Sequence, residues 1–321
     1  MRLSRRALAL GGAVLATPAL AEIRGEVVIG RDGWLFAAWE NIRAGNIAGV
    51  RRVGGLISEA IGILKQGGIE VGIVLVPMRA RIYPEFLPET FRMGAEAEQR
   101  YSTLLADWRR AGALMPDLAT AFTALKTRER EPIFFKQDNH WRPPAAYLAA
   151  EEMARSAQAA RLPPSSRPGT RLGDWVNFTQ QTADLTALLP PADRARFPME
   201  RYRIRAVPPA VGSLLGDDDA GSDVALAGNS FTMPRMGFTP ALSSALGRTV
   251  RLFMRAGNFG HWKMLTEYLS GPIFRNTRPR LLIWQLLEGN MEHMPDQRGY
   301  FGANAMAPAE FLRVVRQAAA R

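Results

Sequence analysis

Apolar positions along this chain recur with two distinct periods. The run Val71-Gly72-Ile73-Val74-Leu75-Val76 is continuous and β-branched, which predicts a strand covered on both faces. Asp223 to Ala227, Thr249 to Met254 and Arg280 to Leu286 repeat that character. Helical spacing fills the intervals, at about Gly55 to Lys65, Ala95 to Arg110, His261 to Leu269 and Pro308 to Ala319. Pro143 and Pro144 open a further helix reaching about Ala160, proline being well placed in a first turn. A short strand is expected near Ala113-Leu114-Met115. Near the start, Glu26 to Ile29 and Trp34 to Phe36 flank Asp32-Gly33, the pattern of a hairpin with a tight turn. Residues 162 to 222 differ, being rich in Pro, Arg and Asp with broken apolar runs; they read as an insertion, with strand character at Tyr202-Arg203-Ile204. Buried strands alternating with helices predict an α/β fold, a three-layer α/β/α arrangement on a parallel sheet. An N-terminal hairpin and the central insertion complete it, and no linker divides residues 22 to 321 into separate domains.

The first 21 residues stand apart from this pattern. Arg2, Arg5 and Arg6 precede an apolar run from Ala7 to Leu20 that ends Ala19-Leu20-Ala21. A basic start, a short apolar stretch and a small-x-small end describe an export signal. The Arg5-Arg6 pair fits the twin-arginine type; an uncleaved anchor helix is the alternative. Either way the rest of the chain is expected outside the cytoplasm, in the periplasm, with membrane association if the signal stays attached. The sequence holds no cysteine and is 47% hydrophobic, so stability must come from the core rather than from disulfides. Net charge is +11, or +8 without the three arginines of the signal. Outside the cytoplasm this favours acidic polysaccharide or lipid headgroups as partners over nucleic acid; a generally arginine-rich proteome would give the same balance.

Histidine is scarce: His140, His261 and His293 are the three present. Only His140 has a carboxylate two residues away, Asp138. A carboxylate on one ring nitrogen fixes the tautomer and frees the other nitrogen to accept a hydroxyl proton. A structural loop pair or two metal ligands would look the same. The second clue is Gly228-Asn229-Ser230 at the end of a buried strand. Open α/β sheets hold ligands at the carboxyl ends of their strands, and a serine there has both a hydroxyl and a backbone N–H to offer. A strand exit with a capping serine is the plainer reading.

Together the stretches Asp138-Asn139-His140-Trp141 and Gly228-Asn229-Ser230-Phe231-Thr232 resemble the signature segments of the AlgX/AlgJ alginate O-acetyltransferase family, which is SGNH hydrolase-like. Gly30 to Phe36, Val76-Pro77, Gly173-Asp174 and Ile283-Trp284 match as well, so the resemblance spans nearly the whole mature chain. It implies Ser230 as nucleophile, His140 as general base and Asp138 as the residue that orients it. It further implies a membrane-bound O-acyltransferase partner as the acetyl source. The sequence departs from the family at Gln285, where Glu is expected after the tryptophan, with Glu288 at a second acidic position. Asn258 interrupts an expected glycine-rich loop, in which Gly257 and Asn258 are either oxyanion donors or turn residues.

The remaining chemistry-bearing residues are read as structural. His261 is expected to cap or pack, and His293 lacks evident metal-ligand partners. Trp34, Trp108 and Trp284 read as core, whereas Trp141 is a candidate to line the substrate cleft. Asp217-Asp218-Asp219 has the wrong spacing for calcium. No metal or cofactor is called for. The expected activity is therefore acetyl transfer onto an exopolysaccharide through Ser230, His140 and Asp138. The rivals are a polysaccharide acetyl esterase with the same triad, and a non-catalytic polysaccharide-binding scaffold in which those three residues need not meet.

Overall fold

The apolar runs assemble as the sequence predicts. In the computed structural model, which describes residues 22–208 and 222–320, the strands are β1 (Glu22–Arg24), β2 (Val27–Ile29), β3 (Leu35–Ala37), β4 (Glu70–Val76), β5 (Trp175–Thr179), β6 (Arg201–Arg205), β7 (Val224–Gly228), β8 (Arg251–Met254) and β9 (Leu281–Leu287). The helices up to the insertion are α1 (Ile47–Gln66), α2 (Arg79–Ile82), α3 (Ala95–Arg110), α4 (Leu118–Arg128) and α5 (Pro143–Ala157). Within it lie α6 (Asp184–Leu188) and α7 (Pro191–Arg194). After it come α8 (Phe238–Leu246), α9 (His261–Ser270), α10 (Pro272–Asn276), α11 (Arg298–Phe301) and α12 (Pro308–Ala319). The expected leader of residues 1 to 21 and the Asp217-Asp218-Asp219 run fall outside the described residues.

Four strands form one parallel sheet in the order β4-β9-β7-β8. Alternate residues of each strand point to opposite layers, as pleating requires. Val71, Ile73, Leu75, Trp284 and Leu286 meet α1, α3, α9 and α12, whose contribution includes Trp108, Trp262 and Phe311. Val74, Val76, Leu226 and Ile283 meet α4, α5 and α8 through Phe122, Ala149, Met153 and Phe238. Burial of both faces explains why these strands read as uninterrupted apolar runs. Because all four run the same way, Val76, Leu287, Gly228 and Met254 end on one edge, and every loop leaving that edge faces the same side of the molecule.

Local differences from expectation have local causes. The N-terminal hairpin β2–β3 turns through Asp32 and Gly33, with φ of 52° and 77°, as a tight primed turn demands. It gains a third strand, β1, paired antiparallel to β2. Helix α1 begins well before Gly55, because Asn46 accepts a hydrogen bond from the Gly49 N–H and starts it there. The expected strand at Ala113–Met115 reduces to one bridge between Leu114 and Gly72. Helix α4, started by Asp117 on the Thr120 N–H, and helix α8 add to the expected set. Within residues 162 to 222 the described part carries its own hairpin, β5–β6, besides α6 and α7.

A buried ion pair fastens the layers. Arg100 of α3 is fully buried and donates to Glu292 at 3.1 Å and to the Glu40 carbonyl at 2.8 Å. Removing one partner of such a pair leaves an uncompensated buried charge. Arg100→Met should therefore destabilise the protein by about 3–5 kcal/mol, read as a lower urea midpoint with the m-value unchanged.

Candidate active site

Two loops converge at the carboxyl edge of the sheet. The first is the turn between Phe134 and Trp141, which form an isolated antiparallel bridge. Its neck is closed by Phe135 N–H to the His140 carbonyl at 3.2 Å and Arg142 N–H to the Ile133 carbonyl at 2.8 Å. Asp138 and His140 sit at its tip, both buried. Asp138 Oδ1 accepts from the His140 backbone N–H at 2.8 Å and lies 2.6 Å from Nδ1 of the same ring. The carboxylate assigns the proton to Nδ1 and leaves Nε2 as an acceptor. Two residues of spacing are what allow one carboxylate to reach both the backbone and the ring of the same histidine.

The second loop is the exit from β7. Gly228 is needed there: a Cβ would collide with Thr232 Cγ2 and lie 3.0 Å from Gln285 Cβ. Asn229 donates its N–H to Gln285 Oε1 at 3.0 Å and accepts from the Phe231 N–H at 3.1 Å through Oδ1. This holds the Ser230–Thr232 turn, and Ser230 Oγ lies 2.7 Å from His140 Nε2. Ser230 is half-buried, and its N–H heads a helical turn, where donors have no partner within the turn. Gln285, the departure from the acidic residue expected at that position, serves here as the acceptor that fixes the serine loop.

Ser230, His140 and Asp138 thus form one hydrogen-bonded chain across 90 residues of sequence. Such a chain can move a proton from a hydroxyl to an imidazole that a carboxylate steadies. Gly257 lies in the turn after β8, lining a small cavity with Asn229, Gln285 and His261. Asn258, beside it, is exposed and outside that lining. Trp141 needs correction: it does not line a cleft. It is fully buried and packs edge-on against Phe122 and Phe231, because successive side chains of an extended segment point to opposite sides. His140 faces the serine, so Trp141 faces the core.

Neither of the other histidines joins the site. His261 is half-buried against Trp262 and Phe301 with both ring nitrogens enclosed, and that enclosure, with the nearby His293, pushes its ring down to about 3. His293 stacks on Tyr300 and meets Gln297 Oε1 at 2.9 Å. Trp34, Trp108 and Trp284 are core residues, as expected.

Several supporting residues carry no signal in the sequence. Asp184, first in α6 of the insertion, donates its backbone N–H to Asp138 Oδ2 at 3.0 Å. Its own carboxylate lies 3.5 Å from His140 Nδ1. Burial, and then the charge of Asp138, raise the Asp184 carboxyl above its ordinary value. Burial alone would also raise Asp138, but the hydrogen bond and charge of His140 and the His140 and Asp184 N–H groups hold it below the ordinary value. Asp138, His140 and Asp184 have ligand atoms within 4.8 Å of one another. They are the described residues that could hold a cation, although the His140 nitrogen concerned already faces Asp138.

Glu200, also from the insertion, accepts from the Lys136 N–H at 2.7 Å. Buried Arg79 grips the tip from beneath, donating to the Phe135 carbonyl at 2.7 Å and the Asp138 carbonyl at 2.6 Å. Glu288 binds Arg81 through both oxygens and accepts from the Met78 N–H at 2.9 Å, which fixes the segment carrying Arg79. A short arginine-glutamate lattice therefore underlies the histidine loop.

The matched family is described as an SGNH hydrolase-like domain, acetyltransferase AlgX, and its model covers residues 27–288. The three-layer fold with serine and histidine loops at the carboxyl edge of a parallel sheet defines the class: an SGNH hydrolase-like protein. Among relatives, a probable alginate O-acetylase AlgJ of Pseudomonas syringae pv. tomato is 30% identical over 283 residues, 83% of this chain and 69% of that one. The counterpart of the same description from Pseudomonas aeruginosa is 28% identical over 284 residues, 83% of this chain and 71% of the other. The solved O-acetyltransferase domain of Pseudomonas putida AlgJ superposes with a TM-score of 0.70 at 25% identity, covering 91% of this chain and 99% of that domain. Pseudomonas aeruginosa AlgX shares the fold, with a TM-score of 0.62 at 20% identity over 90% of this chain and 66% of its own. The chain belongs to the AlgX/AlgJ family of SGNH hydrolase-like O-acetyltransferases.

Glu40 tests the lattice beneath the loop. It shares a small cavity with Arg79, Asn139 and Glu288. Burial raises its carboxyl to about 7, and Arg79 only partly opposes this. The native state therefore keeps a proton that the unfolded chain releases near pH 4.5. The stability this confers is complete below pH 4.5 and is lost as pH rises through about 7. Relative to Glu40→Gln, the wild type should lose about 3 kcal/mol between pH 4.5 and 7.5. Urea midpoints across that range, parallel for the two proteins, would remove Glu40 from the account.

Proposed function

We propose that this protein is an exported O-acetyltransferase that acetylates hydroxyls of an alginate-like exopolysaccharide through a Ser230–His140–Asp138 triad. What supports the chemistry is the 2.7 Å contact between Ser230 Oγ and His140 Nε2, backed by the 2.6 Å contact of Nδ1 with Asp138. What supports the substrate class is kinship with proteins described as probable alginate O-acetylases. The residue pattern of the first 21 positions supports export to the periplasm, and the family resemblance supports a membrane-bound O-acyltransferase as the source of acetyl.

On this reading His140 Nε2 takes the Ser230 proton as Oγ bonds to the acetyl carbonyl carbon. The tetrahedral oxyanion would rest on the Ser230 N–H, with the Gly257 N–H as second donor. His140 returns its proton to the departing group, leaving acetyl on Ser230. A sugar hydroxyl then gives its proton to His140 and attacks the ester, and Ser230 Oγ recovers the proton. Asp138 stays ionised throughout and stabilises the imidazolium.

Ser230→Ala should reduce acetyl release from a chromogenic acetyl ester by at least ~10³-fold, the scale seen when a triad member is removed. Wild-type turnover by that variant would take Ser230 out of the mechanism. Adding an acceptor oligosaccharide separates transferase from esterase, since acetate as the sole product with acceptor present would favour hydrolysis. Asp184 offers a finer test. Ala183 is extended and Asp184 is the first residue of α6, so proline fits there and, compared with alanine, deletes only the N–H. Asp184→Pro should lower kcat about tenfold below Asp184→Ala, as expected for one hydrogen bond to a charged group. Equal rates for the two variants would mean that the N–H does not support Asp138.

A further inference from the structure

Large apolar side chains are exposed in one part of the molecule. Six such residues are exposed among the described residues, Trp175, Val176, Phe178, Leu188, Met199 and Val207, and all lie in the insertion. Three of them are on one short strand, β5. Exposed large apolar side chains gathered in one segment point to an interaction surface there.

The hairpin carrying them is held firmly. Gly173 and Ala206 extend its ladder at one end, and Gln180 and Glu200 at the other. Arg142 donates to the Arg201 carbonyl at 2.6 Å, and the Tyr147 hydroxyl accepts from the Arg205 N–H at 2.6 Å. Residues directly opposite in an antiparallel pair share a face. Register therefore puts Arg205, Arg203 and Arg201 on one face with Trp175, Asn177 and Thr179. Successive arginines of that row are about 6.6 Å apart along the strand. The Arg203 and Arg205 guanidinium groups lie 5.4 and 5.7 Å from the Trp175 ring centre, which holds these cations in place. Among the described residues, neither Arg201 nor Arg203 has a carboxylate at ion-pair distance, while Glu131 beside them is paired with Arg142 at 2.7 Å.

On the other face Phe178, 49% exposed, stacks on Tyr202 with ring centres 5.9 Å apart. Tyr202 in turn packs edge-on against Phe135 at 5.2 Å, and Phe135 closes the neck of the histidine loop. Two grooves of about 440 and 760 Å³ flank the hairpin and share Glu131, Tyr202 and Arg203. The smaller groove reaches round the hairpin, lined by Phe178 and Tyr202 of one face together with Asn177, Thr179, Arg201 and Arg203 of the other. An aromatic ring and guanidinium groups without a carboxylate partner can therefore meet the ring faces and carboxylates of an acidic sugar chain there. A protein partner without acidic residues would account for the aliphatic residues but leave the cation row unmatched.

We infer that the β5–β6 hairpin is the acceptor subsite, seating a uronic-acid oligosaccharide with a sugar ring on Phe178 and carboxylates on Arg201 and Arg203. This rests on the acetyltransferase reading above and adds where, and by which chemistry, the acceptor binds. Arg142, which carries β6 on its guanidinium, is two residues from His140, so the subsite and the reacting hydroxyl are linked through rigid contacts.

Calorimetric titration of the intact protein with uronic-acid oligosaccharides, and with neutral ones of equal length, tests the binding without requiring turnover. The acidic series should bind at least tenfold more tightly. Phe178→Ala and the double variant Arg201→Glu/Arg203→Glu, each checked for an unchanged melting temperature, should raise the acceptor KM at least tenfold with kcat within threefold. Variants that bind and acetylate the acidic oligosaccharide like the wild type would overturn the subsite and leave the exposed side chains to a protein partner. Equal affinity for neutral chains would overturn the anionic assignment. A wild type that binds the oligosaccharide but leaves acetyl esters untouched would instead overturn the serine mechanism, a distinct result.

Discussion

Asp138 is surrounded by protein, and burial alone would drive its carboxyl toward the neutral form. Three donors reverse that: the His140 ring, the His140 N–H and the Asp184 N–H. A neutral Asp138 could not hold Nδ1 as a donor with the same strength, and Nε2 would lose its fixed role toward Ser230. Everything else around the site keeps those donors converging on one carboxylate. Arg79 binds the loop carbonyls from below and Glu200 binds its N–H groups from the side. The loop is thus satisfied on both kinds of backbone group, which burial makes obligatory.

The serine side is fixed by different means. No ionic lattice is needed where a strand runs straight into a turn. Gly228 permits the backbone to pass close to Thr232 and Gln285, and the Gln285 amide oxygen captures the next N–H. Strand β9 lies between β4 and β7, so a single strand carries both Gln285, which steadies the serine loop, and the chain into Glu288, which fixes the segment bearing Arg79 through Arg81 and Met78. One central strand therefore sets the relative position of the two loops.

How much of this the sequence discloses depends on the range of the interaction. The sheet is legible because strands buried on both faces are almost wholly apolar, and the Asp138–His140 pair is legible because its contact spans two residues. Helix α4 escapes notice because its apolar stripe is only three residues long, Leu118, Phe122 and Leu125, among small and polar neighbours. Adjacency to His140 suggests a cleft position for Trp141, but pleating gives the two side chains opposite orientations. Asp184 and Glu200 are invisible for a stronger reason. Each acts through contacts 46 to 64 residues away, inside a segment whose composition shows no periodicity to align. The acid expected after Trp284 would have been like-charged with Asp138; the amide found there accepts the same N–H without adding an anion near the site.

The insertion links these observations. Its α6 brings the N–H that helps keep Asp138 ionised, and its residue Glu200 holds the histidine loop just before β6 begins. The same excursion exposes the aromatic and cationic hairpin. A segment that only decorated the surface would not need both to cap a buried carboxylate and to anchor itself through Arg142 and Tyr147. If the hairpin seats the acceptor, then the element that binds the polymer is also the one that completes the proton relay. A displacement of the hairpin would reach Asp138 through the short stretch of chain from Thr179 to Asp184. Acceptor binding and the ionisation state of the triad would then be mechanically coupled, and the hydroxyl would meet a histidine already held in the tautomer it requires.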